Sequence, residues 1–241
     1  AGGSGGFLTG AMRYVRKKIL KSSATNISKQ RQLDKHRTNL FMVEISKRLV
    51  KIAKTAMILN GDGHTGMTQG DSLGKTSDLN ERVVARCGPG KPTIIRTNPP
   101  FAGVGEGRIT DPQVLDNFNT GIRWSTRGGE YFSTGERNTE GVPPEMLFFE
   151  RCLQWIAPGG KIGIVMPKSF LDTQTYYPAR RLLLDSYRLL AVINCHKDTF
   201  QPHTGVRTSL LIVERPLQAE DVGSDYEIFM AISKKIGQDS E

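Results

Sequence analysis

The sequence predicts an α/β fold: a mainly parallel sheet with helices on both faces. Three observations predict it. Short runs such as Thr93-Ile94-Ile95-Arg96-Thr97 and Lys161-Ile162-Gly163-Ile164-Val165-Met166 have the length and composition of buried strands. Between such runs lie amphipathic stretches with apolar residues three and four apart, as at Met146, Leu147, Phe149, Leu153 and Ile156. The two kinds alternate along the chain, and folds of that pattern hold their ligands beyond the carboxyl ends of the strands.

The elements follow in order. Ala1-Gly2-Gly3-Ser4-Gly5-Gly6 opens onto a helix from Phe7 to Leu20, with Phe7, Leu8, Ala11, Val15 and Ile19 on its apolar face. Lys21 to Arg37 is polar and basic and predicts a second, exposed helical segment. Asn39 to Glu44 is a short apolar strand, and Ser46 caps a helix running through Leu49, Ile52, Ala53, Ala56 and Leu59. Asn60-Gly61-Asp62-Gly63 ends that helix. Met67 to Leu73 offers another short strand around Gly70-Asp71-Ser72, and Thr93 to Thr97 leads into Asn98-Pro99-Pro100-Phe101. Ala102 to Val142 is rich in Gly, Thr, Asn and charge and lacks sustained periodicity, so it reads as one long loop of the kind that serves function. A helix follows from Pro143 to Ile156, stopped by Pro158-Gly159-Gly160. Then come a strand from Lys161 to Met166, a helix from Tyr177 to Tyr187, and strands from Leu189 to Asn194 and Thr208 to Glu214. One catalytic domain over residues 1–215 is expected. Residues 216–241 read as a polar extension with one further strand at Tyr226 to Ala231.

With 241 residues and 37% hydrophobic content, the chain is large enough to bury a core. A net charge of +9 and a pI near 9.6 favour a polyanionic partner, although a solvated basic surface accounts for them equally well. Cys87, Cys152 and Cys195 are far apart, without metal-type spacing; no metal site is expected, and a reducing cytoplasm fits best. No apolar run approaches the roughly 20 residues of a membrane span. No signal peptide or membrane partner is expected.

Four groups of residues carry chemistry. The glycines at Gly2 to Gly6 would let a backbone turn approach a cofactor, with amides at the following helix start as donors. Glu44, at a strand end, can accept hydrogen bonds from ribose hydroxyls. Asp71 can accept from the amino group of an adenine while the Ser72 amide meets a ring nitrogen. In Asn98-Pro99-Pro100-Phe101, consecutive prolines remove two backbone donors and leave carbonyl oxygens free. An amide side chain, a carbonyl and an aromatic face on one loop suit a planar base bearing an exocyclic amine.

Taken together these segments resemble the N6-adenine DNA methyltransferases, and most of all the modification subunit of type I restriction-modification systems. Ala1-Gly2-Gly3-Ser4-Gly5-Gly6-Phe7-Leu8 is similar to that family's first cofactor motif, D-P-A-C-G-[ST]-G-G-F-L. Val43-Glu44-Ile45 resembles its second, Gly70-Asp71-Ser72-Leu73 its third, and Asn98-Pro99-Pro100-Phe101 its catalytic motif. Pro144-Glu145-Met146-Leu147-Phe148-Phe149 to Pro167-Lys168-Ser169-Phe170-Leu171, and Thr199 to Ser209, resemble its later elements. The resemblance implies a Rossmann-like S-adenosylmethionine-dependent methyltransferase fold. Gly3, Ser4, Gly5 and Gly6 would border S-adenosylmethionine, Glu44 its ribose, and Asp71 with Ser72 its adenine. Asn98 and Pro99 would hold the target amine of a flipped adenine in double-stranded DNA, with Pro100 and Phe101 completing the loop. A specificity subunit, and in some systems a restriction subunit, are the implied partners.

The sequence departs from that pattern at its start. The Asp-Pro and the strand that precede the first motif do not stand before Ala1. The sheet is therefore expected to lack its first strand, and cofactor affinity and autonomous folding are expected to suffer. A non-catalytic subunit that contributes DNA binding and assembly is the main competing reading. A nucleotide-dependent oxidoreductase would use Gly2 to Gly6 and Glu44 but leave Asn98 to Phe101 without a task. Arg123, Arg127 and Arg137 fall in the long loop after the catalytic motif and are expected to near the substrate. His36, His64, His196 and His203 are scattered and read as surface residues, and the bases from Arg13 to Lys21 as a solvated helix face that could meet DNA.

Overall fold

The computed structural model describes residues 2–61, 66–102, 107–201, 205–223 and 225–236. The chain divides into two compact units, Ala1–Gly88 and Pro89–Glu241. Nothing in the hydrophobic pattern announces that division.

The first unit contains α1 (Gly6–Lys21), α2 (Asn26–Arg37), β1 (Met42–Glu44), α3 (Lys47–Leu59), β2 (Met67–Gln69) and α4 (Glu81–Cys87). β1 and β2 are parallel, with Met42 opposite Met67 and Glu44 opposite Gln69. Met12, Met42, Val50, Ala53, Met57 and Met67 form the core, with Leu8 and Leu40 packed against it. Four methionines among six suit a thin sheet, because an unbranched thioether chain fills irregular gaps. The α3 boundary is local chemistry: the Ser46 hydroxyl accepts from the Leu49 amide, satisfying one of the orphan donors of the first turn. α2 buries none of its residues, and its cap is Thr25, whose hydroxyl accepts from the Ser28 amide. Gly5 begins α1 in the left-handed region, φ +86°, where a Cβ would also come within 2.9 Å of the Ala53 side chain. A side chain there would be strained and crowded at once.

The second unit contains β3 (Ile94–Thr97), α5 (Pro112–Leu115), β4 (Ile122–Arg127), β5 (Glu130–Arg137), α6 (Pro144–Trp155), β6 (Lys161–Pro167), α7 (Ser169–Asp172), α8 (Tyr177–Ser186), β7 (Arg188–Asn194), β8 (Thr208–Glu214) and β9 (Phe229–Ile232). Its main sheet has the order β3-β6-β8-β7-β9. β3 is parallel to β6 and β9 to β7, whereas β8 runs antiparallel to both neighbours. The sheet is thus mixed where the sequence suggests mainly parallel strands. The cause lies between β7 and β8: among the described residues no crossover helix joins them, and a parallel pair needs one. β9 comes from within the expected extension, residues 216–241, yet it is the fifth strand of this sheet. β3 has β6 as its one strand partner among the described residues, as β1 has β2.

β6 alternates in the manner of a half-buried strand, with Ile162, Ile164 and Met166 fully covered, facing a core that includes Leu147, Phe149, Ile156, Phe170, Leu211 and Val213. α6 packs on β6 and α8 on β7. The interval read from the sequence as a structureless loop, 102–142, holds α5 and a β-hairpin. The β4–β5 turn is Gly128-Gly129, with φ of +61° and +86°, the two positive values a two-residue type I′ connection needs. Tyr131 stacks on Tyr177 at the start of α8, ring centroids 4.1 Å apart, and Trp124 meets the same ring edge-on at 6.2 Å. Among the described residues no helix is long and apolar enough to cross a membrane.

Candidate functional site

The candidate residues fall in both units. In the first, parallel pairing brings the carboxyl ends of β1 and β2 side by side: the Gly70 amide donates to the Glu44 carbonyl at 3.1 Å. Glu44 is 6% exposed. Its Oε2 accepts the Gly2 and Gly3 amides, both at 2.9 Å, and its Oε1 accepts the Ser46 amide at 3.1 Å. Burial pushes this carboxyl up, but the amides of Ser46, Gly3 and Gly2 outweigh it and hold it below the ordinary glutamate value of 4.5. The sequence pairs Glu44 with two ribose hydroxyls. A carboxylate has about four acceptor positions, and three are taken by the protein's own backbone. One remains.

The glycine turn itself stays accessible. Ser4 and Gly6 are exposed, Gly5 is buried beneath them, and no side chain caps the first turn of α1. A Cβ built on Gly3 or on Gly6 would meet nothing within 4 Å. Open backbone, uncapped amides and adjoining acceptors fit a cofactor with an anionic end and a polar ring at the other. Asp71 stands two residues past β2, exposed, with its Oδ1 accepting the Leu73 amide at 2.9 Å. Among the described residues Oδ2 makes no hydrogen bond, and Ser72 is half-buried in the same turn. Glu44 is therefore joined directly to the glycine turn, and Asp71 ends the strand beside it.

In the second unit, Asn98-Pro99-Pro100-Phe101 leaves the carboxyl end of β3, as the sequence expects. Asn98 and Pro100 are exposed, Pro99 is buried and Phe101 is half-buried. A carboxylate fixes the end of this loop. Glu145, on the first turn of α6 and 1% exposed, accepts the Ala102 amide at 3.0 Å through Oε2 and the Tyr176 hydroxyl through Oε1. Burial, and then the bond to Glu145, raise the Tyr176 hydroxyl well above its ordinary value, so it stays a donor. The sequence places Glu145 in a stretch that resembles the family and marks no task for it. Its signal was a carboxylate on a helix whose neighbours Met146, Leu147 and Phe149 are apolar.

Glu150, one turn and a half along α6, was missed entirely. It is 2% exposed and accepts the Asn119 and Thr120 amides, at 2.7 and 2.8 Å, and the Thr120 hydroxyl at 2.7 Å. It holds the turn that begins the hairpin. Of the arginines expected near substrate, Arg137 is engaged by Asp116 through two bonds of 2.7 and 2.8 Å, which lowers that carboxyl and raises the guanidinium. Arg123 and Arg127 are exposed on β4. Burial pushes the Cys152 thiol up to about 12, so it is no nucleophile. His64 and His203 lie outside the described residues, as do Asp62 and Gly63.

Comparison with known proteins adds a family. The profile of the N-6 DNA methylase family matches residues 1–239. The type II restriction enzyme and methyltransferase RM.BcgI of Heyndrickxia coagulans is 25% identical over 212 residues, which are 87% of this chain and 26% of that protein. The type I restriction enzyme EcoEI methylase subunit of Escherichia coli is 23% identical over 223 residues, 91% of this chain and 38% of the subunit. The chain therefore spans about a quarter to two-fifths of the length of these relatives. Among solved structures, a protein of Listeria monocytogenes assigned to the class I S-adenosylmethionine-dependent methyltransferases superposes with a TM-score of 0.65. Identity is 17%, over 99% of this chain and 58% of that one, a likeness of fold.

Proposed function

The chain belongs to the N-6 DNA methylase family, and from that premise we propose that it forms the catalytic part of an adenine-N6 DNA methyltransferase in a restriction-modification system. The observation that carries the reading is the Asn98 to Phe101 loop: it leaves the carboxyl end of a sheet strand, presents Asn98 to solvent and is anchored by Glu145. S-adenosylmethionine supplies a methyl group on a sulfonium. The backbone of Gly3, Ser4, Gly5 and Gly6 would border it, Glu44 would take a ribose hydroxyl on its remaining acceptor position, and Asp71 with the Ser72 amide would read the adenine ring.

The amine of the target adenine is a poor nucleophile, because its lone pair is delocalised into the ring. The Asn98 side-chain oxygen and the Pro99 carbonyl would each accept a hydrogen bond from one of its hydrogens, favouring a pyramidal nitrogen whose lone pair forms the nitrogen–methyl bond as the methyl–sulfur bond breaks; the sulfur would leave as a neutral thioether and the amine would give up one proton. This is positioning and electrostatic stabilisation rather than covalent chemistry by the protein. The base must first leave the duplex, at a cost of a few kcal/mol. Stacking on Phe101, worth about 1–3 kcal/mol per base, offsets part of that. The substrate is double-stranded DNA, a cytoplasmic location fits it, and a specificity subunit, with a restriction subunit in some assemblies, is the partner this reading implies.

Asn98→Ala in the assembled modification enzyme tests the reading. Methyl transfer to DNA should fall by roughly a hundredfold or more, with binding of S-adenosylmethionine, measured by calorimetry, unchanged. Retained turnover would remove Asn98 from the mechanism.

A further inference from the structure

The first unit carries a second concavity, at the amino ends of β1 and β2 and so at the opposite end of those strands from Glu44 and Asp71. It encloses about 280 Å³. Three cationic side chains line it: Lys54 from α3, and Arg82 and Arg86 from α4. Thr38, Thr68 and Asn80 add polar groups, and none of the lining residues is an Asp or Glu. Arg82 and Arg86 are four apart and share one face of α4. Arg86 is fixed by a 3.1 Å bond from Nη2 to the Asn39 side-chain oxygen. Asn80 accepts the Arg82 amide through its oxygen, which leaves its own amide group as a donor. Among the described residues neither Lys54 nor Arg82 forms a salt bridge.

Like charges around one cavity repel, and the repulsion grows where protein replaces water. An anion removes it. Guanidinium groups bond phosphate oxygens two at a time, an ammonium adds a point charge, and hydroxyl and amide groups take the remaining oxygens. We propose that this cavity is a phosphate-binding site, separate from the methyl-transfer chemistry, for a phosphodiester of nucleic acid or a free phosphate group. The surroundings match: residues 1–88 carry sixteen Lys and Arg against six Asp and Glu, a net of +10, whereas the rest of the chain carries seventeen against eighteen. A polyanion drawn to the first unit meets in this cavity a cluster of three cationic side chains.

The test uses the assembled modification enzyme, inorganic phosphate and a short DNA duplex. Arg82→Gln and Lys54→Gln each remove one lining charge, while Lys17→Gln removes an exposed charge from α1 outside the cavity. Inorganic phosphate, titrated by calorimetry at constant ionic strength, should bind with a millimolar or tighter constant. Each cavity variant should weaken it about tenfold, and Lys17→Gln should leave it unchanged. The duplex, followed by anisotropy, separates the sources. If the natural ligand is a DNA phosphodiester, phosphate competes and Arg82→Gln weakens DNA binding more than Lys17→Gln does. If it is a free phosphate, the two variants affect DNA alike while phosphate binding still depends on Arg82. No binding of phosphate, or equal loss in all three variants with their unfolding curves unchanged, overturns the site.

Discussion

The two units use one device for different ends. In each, a buried carboxylate holds a loop by its backbone amides: Glu44 grips Gly2, Gly3 and Ser46 in the first, and Glu145 and Glu150 grip Ala102, Asn119 and Thr120 in the second. An ionised carboxylate is a strong acceptor, and a loop amide that finds one loses little by leaving water. The frames differ. The first unit has two three-residue strands and a methionine-rich core under a net charge of +10. The second has a five-stranded sheet whose central strands β6 and β8 bury alternate residues completely, with almost no net charge. Positive charge is concentrated in the first unit, and the loop proposed to do chemistry is anchored in the second.

That contrast can be broken from the second unit first. Glu150→Ala strands two amides and a hydroxyl in a buried turn and should cost about 3–5 kcal/mol. In thermal unfolding this is a drop of roughly 6–20 °C; a loss below about 1 kcal/mol would mean the Asn119-Thr120 turn stands without its carboxylate. Glu145→Gln is milder, since the amide still accepts one bond, and should cost about 1–2 kcal/mol. Its catalytic effect should exceed its structural one. Its one amide oxygen cannot serve the Ala102 amide and the Tyr176 hydroxyl as two carboxylate oxygens do, so the hold on Ala102 weakens, the Asn98 loop loosens, and kcat should fall about tenfold or more while binding of S-adenosylmethionine is unchanged. A fall in kcat that only tracks the folded fraction would leave Glu145 a stabilising residue and nothing more.

How much of this was legible depended on the length of the signal. Long periodic segments were legible to within a residue or two: α1, α3, α6 and α8 lie where their apolar spacing puts them, and Ser46 caps α3 as its position predicts. α4 was not, because seven residues hold too little periodicity to stand out. The hairpin was hidden for another reason. Its strands, Ile-Arg-Trp-Ser-Thr-Arg and Glu-Tyr-Phe-Ser-Thr-Gly-Glu-Arg, are largely polar, and only Gly128-Gly129 between Trp124 and Tyr131 marked the turn. The motif residues of the site were readable as types at strand ends, but their occupancy was not. No pattern tells that Glu44 already accepts three amides, or that Asp71 spends one oxygen on Leu73, since both depend on loop conformations that the strands do not specify. The uneven charge could be counted in the sequence; the boundary at Gly88 that gives it meaning could not.

The smallest effect belongs to the first unit, because at Glu44 burial works against the amides that stabilise the carboxylate. Its carboxyl lies below the ordinary 4.5 in the folded chain, so the stability it contributes is complete above that value and is lost as pH falls through the lower, folded one. Protonation removes acceptor strength from the bonds to Gly2, Gly3 and Ser46 together, and the glycine turn should open before either sheet does. Amide exchange read by mass spectrometry should therefore show the peptide covering Gly2 to Phe7 losing protection as pH is lowered below about 4.5, corrected for intrinsic rates. Glu44→Gln should flatten that dependence. If the turn instead keeps its protection in acid, or if Gly2 to Phe7 and the Ala102 segment open together, the carboxylate is not what holds the turn. The position left for a ribose hydroxyl would then have to be counted again.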